Sequence, residues 1–454
     1  MTMKNYCIIL LTGLLLLSGC DKLLEVKPEY ILTGKEAYAT EATADSVLTG
    51  LYNSLAGAPF TGDGFLLSGL SADELKPGDA SFMADYNFIY NYTLGSQESS
   101  TNSFWGGFYK TIHISNAIIN GVTESATLTD AVKSRISGEA KFVRALLYYY
   151  LVNYYGDVPI VTETNYNVTR NIPRMPAKDV YAQITKDLKE AVVQLPDAYR
   201  TTERTRVNKY AAMALLARVS LFTRDWQTAL DMSAAVIGKS DLYEMGELAA
   251  DTTLNIFHSD SRETIFQLWT TYGVAVGSYT LSSWSSFAVA DGPGSILNGY
   301  DPTDKRKYNF IAPNDYNGYK PYKYRLADAD PSYKEYYVVL RLAEQYLIRA
   351  EARMELGLPG VTDDIDVVRA RAGAPLLGNS FPAAGYRDAL VTERRLELCF
   401  ENADRWFTLK RTGRADAVMS QAKPGTWKST AVLYPVPRIE IQNNPLLKQN
   451  DGYQ

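Results

Sequence analysis

Apolar residues recur every three or four positions through most of this chain, the period of a helix with one face turned inward. From Gly34 to Ala56 the set is Ala37, Ala44, Val47, Leu48, Leu51 and Leu55. Phe104 to Ile119 repeats the spacing with Trp105, Phe108, Ile112 and Ala117. The longest stripe runs from Ala131 to Tyr155 through Ile136, Ala140, Val143, Leu147, Tyr150, Leu151 and Tyr154, and Gly156-Asp157-Val158-Pro159 ends it. Pro176 opens a further helix to Leu195. Two helix–turn–helix pairs follow. Asn208 to Phe222 turns at Thr223-Arg224-Asp225 into Trp226 to Ile237, and small residues at Ala211, Ala214, Ala217, Ala229 and Ala234 predict close approach. Val338 to Leu356 turns at Gly357 to Gly360 into a helix capped by Thr362 and running to Arg371. Ala389 to Arg414 reads as one helix. Its apolar face holds Leu396, Cys399, Phe400, Ala403, Trp406 and Phe407, its other face Glu393, Arg394, Arg395, Glu397, Glu401, Asp404 and Arg405. The rings and ion pairs of this stretch are expected to be structural, and Gly413 is the expected stop.

Two regions interrupt the helical period. Pro59 to Leu94 is broken by Gly62, Gly64, Gly69, Pro77 and Gly78, with Phe60, Phe65, Phe82, Tyr86, Phe88, Tyr90 and Tyr92 among the breaks. Asp241 to Asp330 holds one expected strand, Thr264 to Thr270, and then Tyr272, Tyr279, Trp284, Phe287 and Tyr300 among Gly, Ser and Asp. Aromatic loops of this length need a reason to stay ordered.

The chain has 454 residues, 46% of them hydrophobic, enough for a large core in one big domain or two to three smaller ones. Its formal net charge of −5, without a basic block, points away from nucleic acid. At the N-terminus Lys4 precedes an apolar run from Tyr6 to Leu17 and then Ser18-Gly19-Cys20. That is the layout of a secretory signal, too short for a transmembrane helix of about 20 residues. Leu17-Ser18-Gly19-Cys20 resembles a bacterial lipobox, which implies cleavage before Cys20 and lipid on its sulfur. Cys7 would leave with the signal, so Cys399 remains as the one thiol and no disulfide framework is expected.

Catalytic and metal constellations are missing. His113 and His258 stand apart, without metal-ligand spacing, and His113 is expected to pack within its helix. No G-x-S-x-G or phosphate-cradling loop occurs. Asp73-Glu74 and Asp363-Asp364 are neighbours in sequence, which do not face each other on a helix. The aromatic loops carry the better signal. Aromatic faces cover the C–H face of a sugar ring, and polar side chains meet its hydroxyl edge. The chain has 33 Tyr against 15 Phe, a balance suited to wet, polar ligands. Tyr148, Tyr149, Tyr150, Tyr154 and Tyr155 lie in a helix and belong to the expected core.

Several short motifs together resemble the SusD/RagB family of nutrient-binding outer-membrane lipoproteins. They are Arg144-Ala145 with Tyr155-Gly156-Asp157-Val158-Pro159, and Pro302-Thr303-Asp304-Lys305-Arg306. Arg341-Leu342-Ala343-Glu344 with Ile348-Arg349-Ala350-Glu351-Ala352, and Val368-Arg369-Ala370-Arg371-Ala372-Gly373, follow. Then come Glu393-Arg394-Arg395-Leu396-Glu397-Leu398, Phe400-Glu401, Arg405-Trp406-Phe407 and Leu409-Lys410-Arg411. Leu433-Tyr434-Pro435-Val436-Pro437, Glu440-Ile441, Asn444-Pro445 and Gln449-Asn450-Asp451-Gly452-Tyr453 complete the set. Where the family pattern has Gly after the Phe-Glu pair, this chain has Asn402.

The resemblance implies a mainly α-helical, SusD-like fold of tetratricopeptide-like pairs with a loop-rich ligand face. The layout is then a signal peptide over 1–19, a lipidated linker over 20–33 and one domain over 34–454. Within it lie an early loop region at 57–103, repeat helices at about 104–238 and 334–372, an insertion at 239–333 and the family signature at 389–454. The implied function is non-catalytic capture of an oligosaccharide at the outer surface, with a TonB-dependent, SusC-like transporter as partner. No cofactor and no metal are expected. Ligand contacts fall regionally on Asp73, Phe82, Tyr86, Trp269, Tyr272, Tyr279 and Trp284. Peptide capture, or a helical-repeat scaffold for protein partners, are the alternatives.

Cys20→Ala tests the anchor. The variant is expected to leave the membrane fraction or remain unprocessed; a membrane-bound product of unchanged mature mass would overturn the lipobox reading.

Overall fold

The computed structural model of this protein describes residues 34–57, 64–78, 84–96, 99–248, 256–269, 287–292, 294–314, 318–325 and 334–453. The signal, Cys20 and the linker lie outside the described residues. The first layer is α1 (Glu41–Ala56), α2 (Gly64–Ser71), β1 (Leu75–Pro77) and α3 (Ala84–Tyr90). The long helices α4 (Ser99–Glu124) and α5 (Asp130–Tyr155) follow, then α6 (Ala177–Gln194), α7 (Lys209–Thr223) and α8 (Trp226–Ile237). Each of these long helices packs on the next in the chain, and α8 then packs on α9 (Leu342–Glu355), which pairs with α10 (Val361–Ala372). These are the tetratricopeptide-like pairs. Ala211, Ala214, Ala217 and Ala229 of the α7–α8 pair are wholly buried, Ala217 and Ala229 in one cluster with Ile348 and Ala352 of α9, whereas Ala234 is half-buried. Thr129, Asn208 and Asp225 cap α5, α7 and α8 by accepting backbone N–H bonds.

Three small antiparallel pairs lie beside the helices. They use β2 (Thr264–Leu268), β3 (Phe287–Val289), β4 (Ile311–Asn314), β5 (Gly318–Pro321) and β6 (Tyr337–Arg341). β1 pairs with β3, β2 with β6, and β4 with β5. The C-terminal part holds α11 (Tyr386–Leu398), α12 (Asp404–Arg411), α13 (Ala415–Ala422) and the short α14 (Arg438–Asn443).

The five tyrosines expected in the core are all buried in α5. Tyr149, Tyr150 and Tyr154 pack on Phe407, with Tyr154 at 5.0 Å, and Tyr154 also stacks on Tyr434 at 5.0 Å. Gly156 ends α5 at a φ of +72°, and a Cβ there would meet Leu433 at 2.9 Å, so backbone and packing both require glycine.

Four expectations change. Val338 to Arg341 is not the start of α9 but strand β6, paired with β2. Thr362 is not a cap: Gly360, in the left-handed region, precedes α10, and Thr362 lies buried inside it. Pro59 to Leu94 is less of a loop than its glycines suggest, since it contains α2, β1 and α3. Ala389 to Arg414 is two helices. Between them Phe400, Asn402 and Ala403 all have positive φ, at 60°, 51° and 59°. Asn tolerates that conformation better than any other non-glycine side chain except Asp, so Asn402 fits where the family pattern has Gly.

The polar face of α11 points into the protein. Arg306, with no exposed side-chain surface, donates to Asp304, to Glu393 at 2.5 Å and to Glu397 at 3.1 Å. Arg341 donates to Glu263 at 2.9 Å, Glu397 at 2.5 Å and Glu401 at 2.8 Å. Arg371 joins Glu263 and Glu397, Arg369 reaches Glu393 at 2.7 Å, and Lys323 pairs with Glu401. Five cations thus meet five carboxylates in one buried network. Burial alone would raise the Glu397 carboxyl; the guanidiniums of Arg371, Arg341 and Arg306 outweigh it and hold the group well below its usual range. A second cluster joins Arg218 and Arg394 to Glu344, with Arg394 also on Asp404.

A third cluster sits under β1. Asp73 accepts from Arg405 at 2.7 and 2.8 Å and pairs with Arg395 at 2.8 Å. Glu74, fully buried beside it, accepts the Phe400 N–H at 3.3 Å. Burial first, and then the charge of Asp73, pushes the Glu74 carboxyl up to about 8.

Two tests follow from these clusters. Glu397→Gln leaves three guanidiniums short of a counter-charge and is expected to cost about 3–5 kcal/mol at pH 7. Glu244→Gln, at the exposed Arg262–Glu244 pair, is expected to cost less than about 1 kcal/mol. Urea unfolding of both variants is the check, and equal losses would refute a structural network. Glu74 gives the pH test. Its folded value lies above its unfolded one of 4.5, so its stabilising contribution is complete below 4.5 and is lost as pH rises through about 8. Glu74→Gln should therefore gain on the wild type between pH 6 and pH 9. A difference that does not change with pH would mean that Glu74 is ionised in the fold.

Candidate functional site

The β1–β3 ribbon is where the two loop regions meet. Its register pairs Leu75 with Val289, Lys76 with Ala288 and Pro77 with Phe287. In an antiparallel pair the chain leaves β1 at the end where it enters β3. Pro77, the last residue of β1, therefore stands opposite Phe287, the first of β3. Tyr86, on α3, stands edge-on to Phe287 with ring centroids 4.9 Å apart. Behind the ribbon, β3 lies against β5.

Trp269 follows β2 and is 45% exposed. Its indole N–H donates to the phenol of Tyr336, and that phenol bonds to Glu203 in turn. Burial, and after it the Glu203 charge, pushes the Tyr336 phenol up to about 12, so Tyr336 is a neutral, fixed partner at any physiological pH. Held at its nitrogen and nearly half exposed, the indole is a ring available for stacking.

The sequence-predicted site residues divide three ways. Trp269 is exposed and anchored, and Tyr86 is half-buried at the ribbon's loop end. Asp73 is buried in its ion pairs with Arg405 and Arg395, so its carboxylate braces β1 and has no free oxygen edge to offer. Phe82, Tyr272, Tyr279 and Trp284 lie outside the described residues. Among the described residues three further exposed rings escaped the sequence reading as ligand contacts: Tyr166 at 72%, Tyr308 at 68% and Tyr319 at 45%, the last on β5 opposite Pro313. The signal for Tyr319 was present, since Tyr319, Tyr322 and Tyr324 share one short run whose members are exposed, half-buried and buried.

Neither carboxylate pair suits catalysis. Asp73 and Glu74 are occupied as described, and Asp364 accepts from Arg349 and Arg353. His258 pairs with Asp260. His113 is exposed on the outer face of α4 and does not pack into the core, because Ile112 and Ser115 take the inward positions. Among the described residues no group of three or more His, Cys, Asp or Glu is arranged to hold a metal ion.

Comparison with known proteins gives the lineage. Residues 22–221 match a family model described as "Starch-binding associating with outer membrane", and residues 298–453 match one described as "SusD family". Two SusD-like proteins of Formosa agariphila are each 26% identical to the chain. One alignment covers 96% of both chains, the other 99% of this chain and 100% of the relative. A SusD superfamily structure from Bacteroides vulgatus superposes with a TM-score of 0.79 at 20% identity, over 92% of this chain and all of that one. A laminarin-binding SusD-like protein gives 0.75 at 24% identity, over 92% and 100%. Surface glycan-binding protein A from Bacteroides fluxus gives 0.76 at 21% identity, over 91% and 100%. The motifs that resembled the family are the residues that build the buried clusters, with Arg341, Glu344, Arg371, Glu397 and Arg405 at their centres. The chain belongs to the SusD/RagB family.

Proposed function

We propose that this protein captures an oligosaccharide or polysaccharide at the bacterial outer surface and delivers it to a TonB-dependent outer-membrane transporter, without cleaving it. Lipid on Cys20 would hold it at the membrane. The observation that carries the reading is the indole of Trp269, 45% exposed at the end of β2 and hydrogen-bonded at its nitrogen to Tyr336. A sugar ring presents a C–H face that such an indole covers. Two structural relatives named for laminarin and glycan binding share the fold and support a glycan over other nutrients. Family membership supports the transporter as partner.

The test pairs affinity with stability. The signal-free chain is screened against polysaccharides, and the best ligand is titrated into wild type and Trp269→Ala. The variant should lose about 1–3 kcal/mol of binding, if sugar stacking matches base–aromatic stacking in strength. Its melting temperature should stay within about 2 °C, since an exposed ring carries little packing. Unchanged affinity in a folded variant would remove Trp269 from the site. Glycan fragments appearing on incubation would overturn the non-catalytic reading.

A further inference from the structure

A cleft of about 1010 Å³ opens where α5, α7 and α12 end, walled by α6, α8, α9 and α13. It is separate from the β1–β3 ribbon and shares no residue with it. Its size suits a small ligand, and its walls combine rings with cations. Tyr181 and Phe222 stack at 6.0 Å, and Trp226 lies beside them on α8. Two cations of the cleft have no carboxylate partner among the described residues. Arg224, exposed at the end of α7, makes no side-chain bond there. Lys410 donates to the carbonyls of Asn153 and Val432, which uses two of its three N–H groups. The remaining charged side chains largely cancel. Arg411 is paired with Glu351 and Arg387 with Glu355, while Asp416 accepts from Trp427. Arg411 nevertheless keeps a buried Nε without a hydrogen-bond partner. The ends of α5, α7 and α12 contribute partial negative charge of about half a unit each. Two cations without carboxylate partners stand against one carboxylate and three half-charges, which brings the cleft close to balance, with N–H donors to spare.

We propose that this cleft is a second ligand site, independent of the glycan face, which takes a small organic carboxylate. The acid group lies between Arg224 and Lys410, and the body of the ligand lies over Trp226 and Tyr181. Burial holds the Lys410 ammonium down to about 7, with no carboxylate near enough to restore it. An incoming carboxylate supplies that missing counter-charge, and the Lys410 amine takes up a proton as the acid binds. The carboxylate can come from an acidic sugar or from a peptide C-terminus, since both present the same two oxygens to a guanidinium.

Calorimetric titration of the signal-free chain separates these sources. The sugar arm compares trigalacturonate with its carboxyl-reduced, neutral counterpart; the peptide arm compares trialanine with its C-terminal amide. In at least one arm the acid should bind about tenfold or more tightly than its neutral partner, as expected for a charge-assisted bond. The arm that does so identifies the source. Arg224→Ala, a surface change, should lose a similar factor, whereas Trp269→Ala should bind the acid like wild type. Lys410→Met should abolish binding, but it also strips two carbonyls of their donor, so Arg224→Ala is the deciding variant. Absence of binding in both arms at millimolar concentration would overturn the proposal. So would equal affinity for the neutral partners, or a wild-type titration by Arg224→Ala.

Discussion

Charge balance inside the protein constrains everything else. A carboxylate or guanidinium taken out of water costs several kcal/mol unless its partners meet it with good geometry. Here Glu263, Asp304, Glu393, Glu397 and Glu401 come from three separate stretches of chain, and Arg306, Lys323, Arg341, Arg369 and Arg371 from four, of which the one holding Arg306 also holds Asp304. Such a network adds little net stability over a well-packed apolar core. What it does is exclude every other arrangement, because any shift of α11 against β6 or α10 strands a charge. The turn between α11 and α12 shows the strength of that demand. Phe400 and Ala403 accept left-handed backbone, at about 1–2 kcal/mol each, because only that path puts Glu401 on Arg341 and Lys323 while Arg405 reaches Asp73.

Much of this fold is legible in the sequence, because its long helices carry an uninterrupted period and recognisable caps. Where legibility fails, the cause is local and physical. Leu396, Cys399, Phe400, Ala403, Trp406 and Phe407 keep a helical spacing across a turn that is not helical, since all six are buried on both sides of it. Periodicity reports burial, and only indirectly backbone. Val338 to Leu340 is an apolar run too short to distinguish strand from helix, and its β-branched residues were the overlooked cue. The structural role of the ion pairs on α11 is legible, but their partners are not, because a sequence does not show that Arg306 or Arg371 waits opposite Glu397.

The candidate site is less legible for a related reason. Asp73 sits between aromatic loops and looks available, yet Arg405 claims it from the far end of the chain. An acidic residue near a loop carries no mark that separates ligand contact from brace. Trp269 is the opposite case. Its neighbours in sequence are strand residues, and what fixes the ring is Tyr336, which arrives through the pairing of β2 with β6. Anchoring of this kind is a property of the assembled sheet.

The same ion pairs impose an order on the making of the protein. Asp73 and Arg405 stand 332 residues apart, and Glu263 and Arg371 stand 108 apart. A chain delivered from its N-terminus presents Arg306, Lys323 and Arg341 before Glu393, Glu397 and Glu401 exist to meet them. Until those carboxylates arrive, burying the cations is uphill, and the C-terminal half stays open with its apolar faces uncovered. An interrupted chain is therefore not a smaller version of the protein. It is an unfinished one, exposed to proteases that a closed network would exclude. The charges that hold the fold together find their partners only once the chain is whole.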